Sequence, residues 1–597
     1  MEHVVTGRRF ARERESSAQL WSIVDSWTIG GGARAQARAE PVVPGEDYAV
    51  ATTLPKRLLS LAVAAAVFVP VLGAGTLAAS GPALRRAASS PRWGGTINVA
   101  FGEDATTLDP QVCYDSVCWG AMGMLFDRLY DYDKNTNNLF PEAAVAFPKI
   151  TNGGKTYTIT LRKGMTFSNG QPVTAQDVVY SFDRILNPKT QSPVLGFWTG
   201  VVGANKGASG SVPGIRAIGT DTVQIQLTAP NRAFIYVLAM PQASIIPQGA
   251  ASKPGFARDP IGSGPFTLVK WAPGQALIFK RNPNYWDYPL PYVNEVYFHL
   301  DVNDDVALLQ LEKGQVQLLG DGIPTSEFLN VVDNPANKPY LSVRNLESTY
   351  FLTMNVQMKP FNNLKVREAV AMAINRTYLL RLMHGQGEVA NELIPPGVSG
   401  YKALAPIRYD PAAAKRLLAE AGYPHGFTTT LYSWNIDPWT SLDAAVVQQL
   451  GQIGINVKVK AIAENAFFGL ASTPKTAPMT LSFWIADFPE ASDFFNALFS
   501  CAAAVKGGQN YSFYCNPKVD ALVQAALSQP SSAAATSYYT RADELLMRDM
   551  PMVPLFHTTN TAIHGKAVAN YFANPVWGEI YADYWLTTGS TKPPKRG

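Results

Sequence analysis

The residue groupings with the spacing to do chemistry mostly fail on one required position. Asp301-x-Asn303-x-Asp305 with Glu312 has the spacing of a calcium loop, in which alternating oxygen donors and a terminal Glu surround the ion. The sixth position of that pattern needs Gly for its sharp turn and is Val306 here. The pattern reads better as a helix capped by Asn303 or Asp304, running over 306–313 and stopped by Gly314. Gly154-Lys155-Thr156 has the ending of a phosphate loop, but the Gly needed five residues earlier is Lys149. A turn before a strand accounts for those glycines. The histidines (His3, His299, His384, His425, His557 and His564) are scattered, and His557 and His564 lack the Cys or carboxylate company of a zinc site. No H-E-x-x-H and no G-x-S-x-G occurs, so the expectation is a protein without catalytic residues, metal or cofactor.

The cysteines fall into two local groups, Cys113 with Cys118 and Cys501 with Cys515. Four cysteines allow three pairings, and an exported chain permits disulfides. Local pairing is the expectation, with free buried thiols as its alternative.

The elements that must position these residues read as mixed α/β. Tyr157, Ile159 and Leu161 alternate with threonines, and Val223, Ile225 and Leu227 alternate with Thr222, Gln224 and Gln226, the period of half-buried strands. Thr174 with Asp177 three residues on has the form of a capping box. Asp410-Pro411 opens a helix that Gly422 closes, and Asn363 caps one whose apolar face is Val366, Ala369, Val370, Ala373 and Ile374. Strand 428–433, helix 442–452 and a strand carrying Ile455, Val457 and Val459 form a βαβ unit, which requires a parallel pair. No low-complexity linker or repeat divides 93–597, so lobes that exchange chain are expected in place of independent domains.

Of 597 residues, 50 are basic and 46 acidic, and 47% are hydrophobic, which excludes a disordered chain. The formal charge of +4 is confined to residues 1–92, with eleven basic and seven acidic residues, while 93–597 holds 39 of each. Leu58 to Ala79 is a 22-residue run without a charge, preceded by Lys56-Arg57 and followed by small residues, the order of an export signal or of an uncleaved single-span anchor. The exported part thus starts near residue 93, after a signal or anchor over 54–92. Residues 1–53 form a leader of doubtful status, consistent with a true start at Val42, Val43, Val50 or Leu54. Arg8, Arg9, Arg12 and Arg14 do not read as a nucleic-acid arm, because Glu13 and Glu15 interrupt them and no aromatic platform follows.

Several blocks in order resemble the extracytoplasmic solute-binding proteins of ABC importers, in the peptide/nickel-binding family 5. They are Gly95–Phe101 with Thr107-Leu-Asp-Pro110, Leu161–Phe182, Ile261-Gly-Ser-Gly-Pro-Phe266, Arg281-Asn-Pro-Asn-Tyr-Trp286, Val366-Arg-Glu-Ala, Asp410–Gly422 and Asn510–Pro517. The resemblance implies a type II, venus-flytrap binding-protein fold with an extra subdomain in the first lobe. One lobe would take 94–349 plus 560–590 and the other 350–559. It implies capture of a peptide or other small solute by lobe closure, a membrane permease with its ATPase as partners, no nucleic acid, and a monomer.

The family pairs the ligand's ammonium with an aspartate after a Trp-x-x motif, so Trp484-Ile-Ala-Asp487 implies that Asp487 takes this role and Trp484 walls the cleft. By the same likeness the loop 112–117, with Tyr114 and Ser116, and the region 194–198, with Trp198, face the ligand. A Cys113–Cys118 bridge would stiffen that loop. The arginine that dipeptide binders carry after the strand 428–433 is missing from Trp434-Asn-Ile-Asp-Pro-Trp439. A longer peptide, an oligosaccharide stacked on Trp434 and Trp439, or a metal chelate is then open as ligand, with an exported hydrolase as the rival class.

Overall fold

The computed structural model describes residues 90–595 apart from 134, 135 and 437. The expected signal or anchor over 54–92 and the leader before it therefore lie outside the described residues, except for 90–92. Among the described residues no helix is long and apolar enough to cross a membrane.

Three sheets organise the chain. The first has five strands in the order Leu318–Leu319, Thr96–Ala100, Glu295–His299, Ala276–Arg281, Phe266–Ala272. Thr96–Ala100 lies parallel to two of these, and Ile97 and Val99 point into the core. The second sheet is antiparallel, in the order Lys149–Thr151, Thr156–Thr160, Thr222–Gln226, Ile215–Ile218. Its inward residues Tyr157, Ile159, Val223 and Ile225 are those the alternation singled out. Helix Ala175–Leu186 packs on it, started by the expected capping box: the Thr174 amide donates to Asp177 Oδ2 at 2.8 Å.

The third sheet has six strands: Gly387–Val389, Met552–Ile563, Leu341–Met354, Met479–Ile485, Phe427–Trp434, Ile455–Ile462. The last two are parallel and joined by helix Trp439–Gly451, as the βαβ pattern requires. That helix starts three residues before the expected point, because Pro438 sits at its N-cap, where a missing N–H costs nothing. Asn363 and Asp410 cap their helices, and Gly422 takes φ of 91° just beyond helix Pro411–Glu420. Asn303 likewise caps helix Asp304–Glu312, through bonds to the amides of Asp305 and Val306.

Two long strands tie the sheets together. Leu341–Met354 and Met552–Ile563 pair antiparallel, with a break in register between Asn345 and Thr349. Their far ends, Leu341 and Ile563, pack beside Ala100, Leu311 and Leu319 of the first sheet's surroundings. Their near ends, with Leu352 and Val553, enter the core of the third sheet.

Folding also buries carboxyl groups away from full ionic partners. Burial pushes Glu347, Asp443, Asp543 and Glu579 each up to about 7. Neutral or backbone donors such as Asn137 on Glu347 and the Leu393 amide on Asp543 offset only part of the cost. An unfolded carboxyl titrates near pH 4, so the native chain holds more protons between about pH 4 and 7. The resulting stability is full at the acid end of that window and is lost as pH rises through about 7. The thermal unfolding midpoint should therefore be higher at pH 5 than at pH 8 by calorimetry; a lower midpoint at pH 5 would contradict this burial pattern.

Candidate ligand-binding site

The site grows from the end of one strand. Strand Met479–Ile485 carries Trp484 across from Thr349, and the chain then turns, with the Ala486 amide donating to the Glu347 carbonyl at 3.0 Å. The turn is held from below by Asp493, wholly buried in the first turn of helix Ser492–Leu498. Its Oδ2 accepts from the Trp484 indole Nε1 at 2.8 Å and from the Asp487 amide at 3.2 Å. One carboxyl oxygen thus orients both residues of the Trp-x-x-Asp motif.

Asp487 is 9% exposed, and burial pushes its carboxyl up to about 6, against the lowering effect of a hydrogen bond from Tyr114. Asp493 rises further, first from burial and then from the charge of Asp487 beside it. The Tyr114 hydroxyl donates to Asp487 Oδ1 at 2.5 Å across a sequence separation of 373 residues. Tyr114 stands in a short loop fixed at several points. The sulfurs of Cys113 and Cys118 are joined across that loop. Asp115 Oδ1 caps helix Ser116–Leu125 through the Cys118 amide at 2.8 Å, and its Oδ2 accepts the Thr106 hydroxyl at 2.5 Å. The second disulfide joins Cys501 to Cys515, bracketing a loop that carries Gln509.

Tyr114, Trp484 and Asp487 line a common cavity of about 630 Å³, within the range of small-molecule sites. Phe197 and Phe488 line it as well, in edge contact at 5.3 Å, and its polar wall includes Asn231, Ser492, Asn496, Gln509 and Gln524. A recess of about 580 Å³ at Arg162, Met165 and Trp286 shares no lining residue with this cavity.

The other expected ligand residues stand elsewhere. Trp198 is fully buried between Phe182 at 4.7 Å and Phe234 at 5.4 Å, so its neighbour Phe197 takes the cavity position. Consecutive helical residues point about 100° apart, which explains the exchange. Ser116 is exposed and spends its hydroxyl on Glu103 at 2.9 Å, outside the cavity lining. Trp434 packs on Trp439 at 4.9 Å and on Phe483 at 5.4 Å, inside the third sheet's core. The loop that was expected to offer two stacking faces instead turns both into the interior, since Trp439 opens the helix. The region 194–198 was expected at the ligand and does line the cavity, through Phe197 in place of Trp198. Phe488 and the amide wall were not expected, and of these only Phe488, next to the motif aspartate, carried a local signal.

The family model described as "Bacterial extracellular solute-binding proteins, family 5 Middle" matches residues 138–506. The chain belongs to this family. The glutathione-binding protein GsiB of Escherichia coli strain K12 is 28% identical over 495 residues, covering 81% of this chain and 93% of that one. GsiB of Salmonella typhi is 29% identical over the same shares. The periplasmic binding protein DppA of Helicobacter pylori, solved with the peptide STSA, superposes with a TM-score of 0.70 at 28% identity, covering 83% of this chain and 98% of that one. The clavulanic acid biosynthesis oligopeptide binding protein 2 shares the fold, with a TM-score of 0.77 at 23% identity over 83% of this chain and 96% of its own. The fold is the family's type II binding-protein fold, and the protein is a solute-binding component of an ABC transporter, not an enzyme.

The position of Asp493 can be probed directly. Asp493→Ala leaves the Trp484 indole N–H and the Asp487 amide without an acceptor, at a cost of about 1–3 kcal/mol per stranded group. Asp493→Asn keeps an acceptor oxygen and should cost clearly less in a urea titration. Equal losses for the two variants would show that Asp493 does not organise the motif.

Proposed function

We propose that the protein captures peptides, most suitably oligopeptides, by closing two lobes around them, with Asp487 pairing the peptide's N-terminal ammonium. The observation that carries this reading is the Asp487 carboxyl itself, 9% exposed, lining a cavity in which, among the described residues, the one ionisable donor to it is a phenol. A carboxylate in such a place gains most from a cation that arrives with the ligand. Names of relatives point the same way: DppA of H. pylori holds a tetrapeptide, and GsiB is named for glutathione, a small peptide with a free amine.

In this reading the lobes are 94–349 plus 560–590 and 350–559, and the paired strands Leu341–Met354 and Met552–Ile563 form the hinge at their break in register. A ligand touching both sides shifts the open–closed equilibrium by its differential affinity for the closed state, which a permease can read. The protein acts as a monomer outside the cytoplasm, delivering cargo to a permease driven by its ATPase. The sugar reading loses its support, since Trp434 and Trp439 face each other in the core.

Asp487→Asn tests the proposal while keeping an acceptor for Tyr114. Native mass spectrometry after incubation with a peptide mixture should find intact peptides on the wild type and at least a hundredfold weaker capture on the variant. Undiminished capture would reject the assignment of Asp487, and cleaved peptides would reject transport as the function.

A further inference from the structure

Among the described residues the cavity is lined by an anion and by no cation. Its described lining residues include no Lys, Arg or His, and Asp487 is the one acidic group among them. Three exposed amide side chains, Asn496, Gln509 and Gln524, face it from separate segments, and Asn231 joins them. Amides donate and accept at once, so they satisfy a neutral peptide-like body without favouring either charge.

Positive charges close by in the chain are already committed. Arg232 follows the lining residue Asn231, but its Nη1 is 2.7 Å from Glu490 Oε1 and its Nη2 bonds the Ser532 hydroxyl. Glu490 is wholly buried and also takes the Tyr539 hydroxyl at 2.6 Å, so drawing Arg232 away would strand a carboxylate in the core. The start of helix Ser492–Leu498, another place for an anion, is filled: the Ser492 amide donates to Glu490 Oε2 at 2.8 Å. Lys506 lies on the loop bracketed by Cys501 and Cys515 but is exposed and outside the lining. A ligand carboxylate entering here would find amide donors but no cation among the described lining residues, and would feel the repulsion of Asp487.

We infer that this cavity selects ligands that bring one cationic amine and no anionic group inside: peptides whose C-terminal carboxylate is masked or carried beyond the cavity. The inference rests on the ammonium pairing proposed for Asp487 and adds the rule for the ligand's other end. It sets this chain apart in chemistry from a binder of free di- or tripeptides, which needs a base for the carboxylate.

The test is calorimetric titration of the full-length protein at pH 7.5 with alanine peptides of two to five residues, each as free acid, C-terminal amide and N-acetyl amide. The amides of the shortest peptides should bind at least tenfold tighter than their acids, with the gap shrinking as length carries the carboxylate outward. Gln524→Lys should narrow or reverse the preference at short lengths. Acids binding as tightly as amides at every length would overturn the inference while leaving the peptide reading intact. Binding that survives N-acetylation, or no binding by any peptide, would instead defeat the ammonium pairing on which the inference rests.

Discussion

A carboxylate removed from water is unstable until something positive meets it, and the structure places Asp487 in that condition. The group is nearly buried, its acidity is weakened by burial, and its neighbour Asp493 is a second carboxyl. Left alone, such a pair favours holding protons. Tyr114 supplies a hydroxyl, which satisfies Asp487 Oδ1 without neutralising it. An incoming ammonium would do both, and that difference is the free energy available to favour the closed arrangement.

The rest of the fold can be understood as support for that contact. Asp493 sets the turn that bears Asp487, and the Cys113–Cys118 bridge with the Asp115 cap sets the loop that bears Tyr114. The two halves of the contact lie 373 residues apart in sequence, and the long strand pair that links the sheets is one of several ties between the parts that carry them. In the proposed reading the break in register at Asn345–Thr349 is the hinge, and motion there would change the distance between the two halves, so that a ligand bound at one point is read as a change of shape. Glu347, in the left-handed region at φ 53° within that break, meets Asn137 at 2.6 Å, so the crossing is itself tied to the first half of the chain.

Local structure was legible where a few adjacent residues decide it. The Thr174–Asp177 box, the Asp410-Pro411 start, the Asn303 cap and the strand–helix–strand of 427–462 all rest on neighbours in sequence. Asp487 and Trp484 were reached through resemblance, and Tyr114 with them. Trp198, Trp434 and Ser116 were misplaced because an aromatic or hydroxyl beside a cleft loop gives no sign of which way the backbone will turn it. One residue of rotation exchanges Trp198 for Phe197, and an early helix start at Pro438 buries Trp439 against Trp434. The amide wall was invisible for the same reason, since its members come from loops and helices that meet only in the folded chain.

The central claim is that ligand binding replaces a proton, or a phenol alone, with a cation on Asp487. Titration of a captured peptide near pH 6, repeated in buffers of different ionisation enthalpy, measures the proton balance directly. With the Asp487 carboxyl pushed up to about 6, binding of an ammonium needs its ionised form, so up to about half a proton should be released at pH 6. That release should shrink as pH rises and turn to uptake near pH 8, where the free peptide's amine, with a pKa of about 8, must gain a proton to bind as the ammonium, while affinity falls as pH drops below 6. Binding at pH 6 with no proton release, or with proton uptake, would contradict the account.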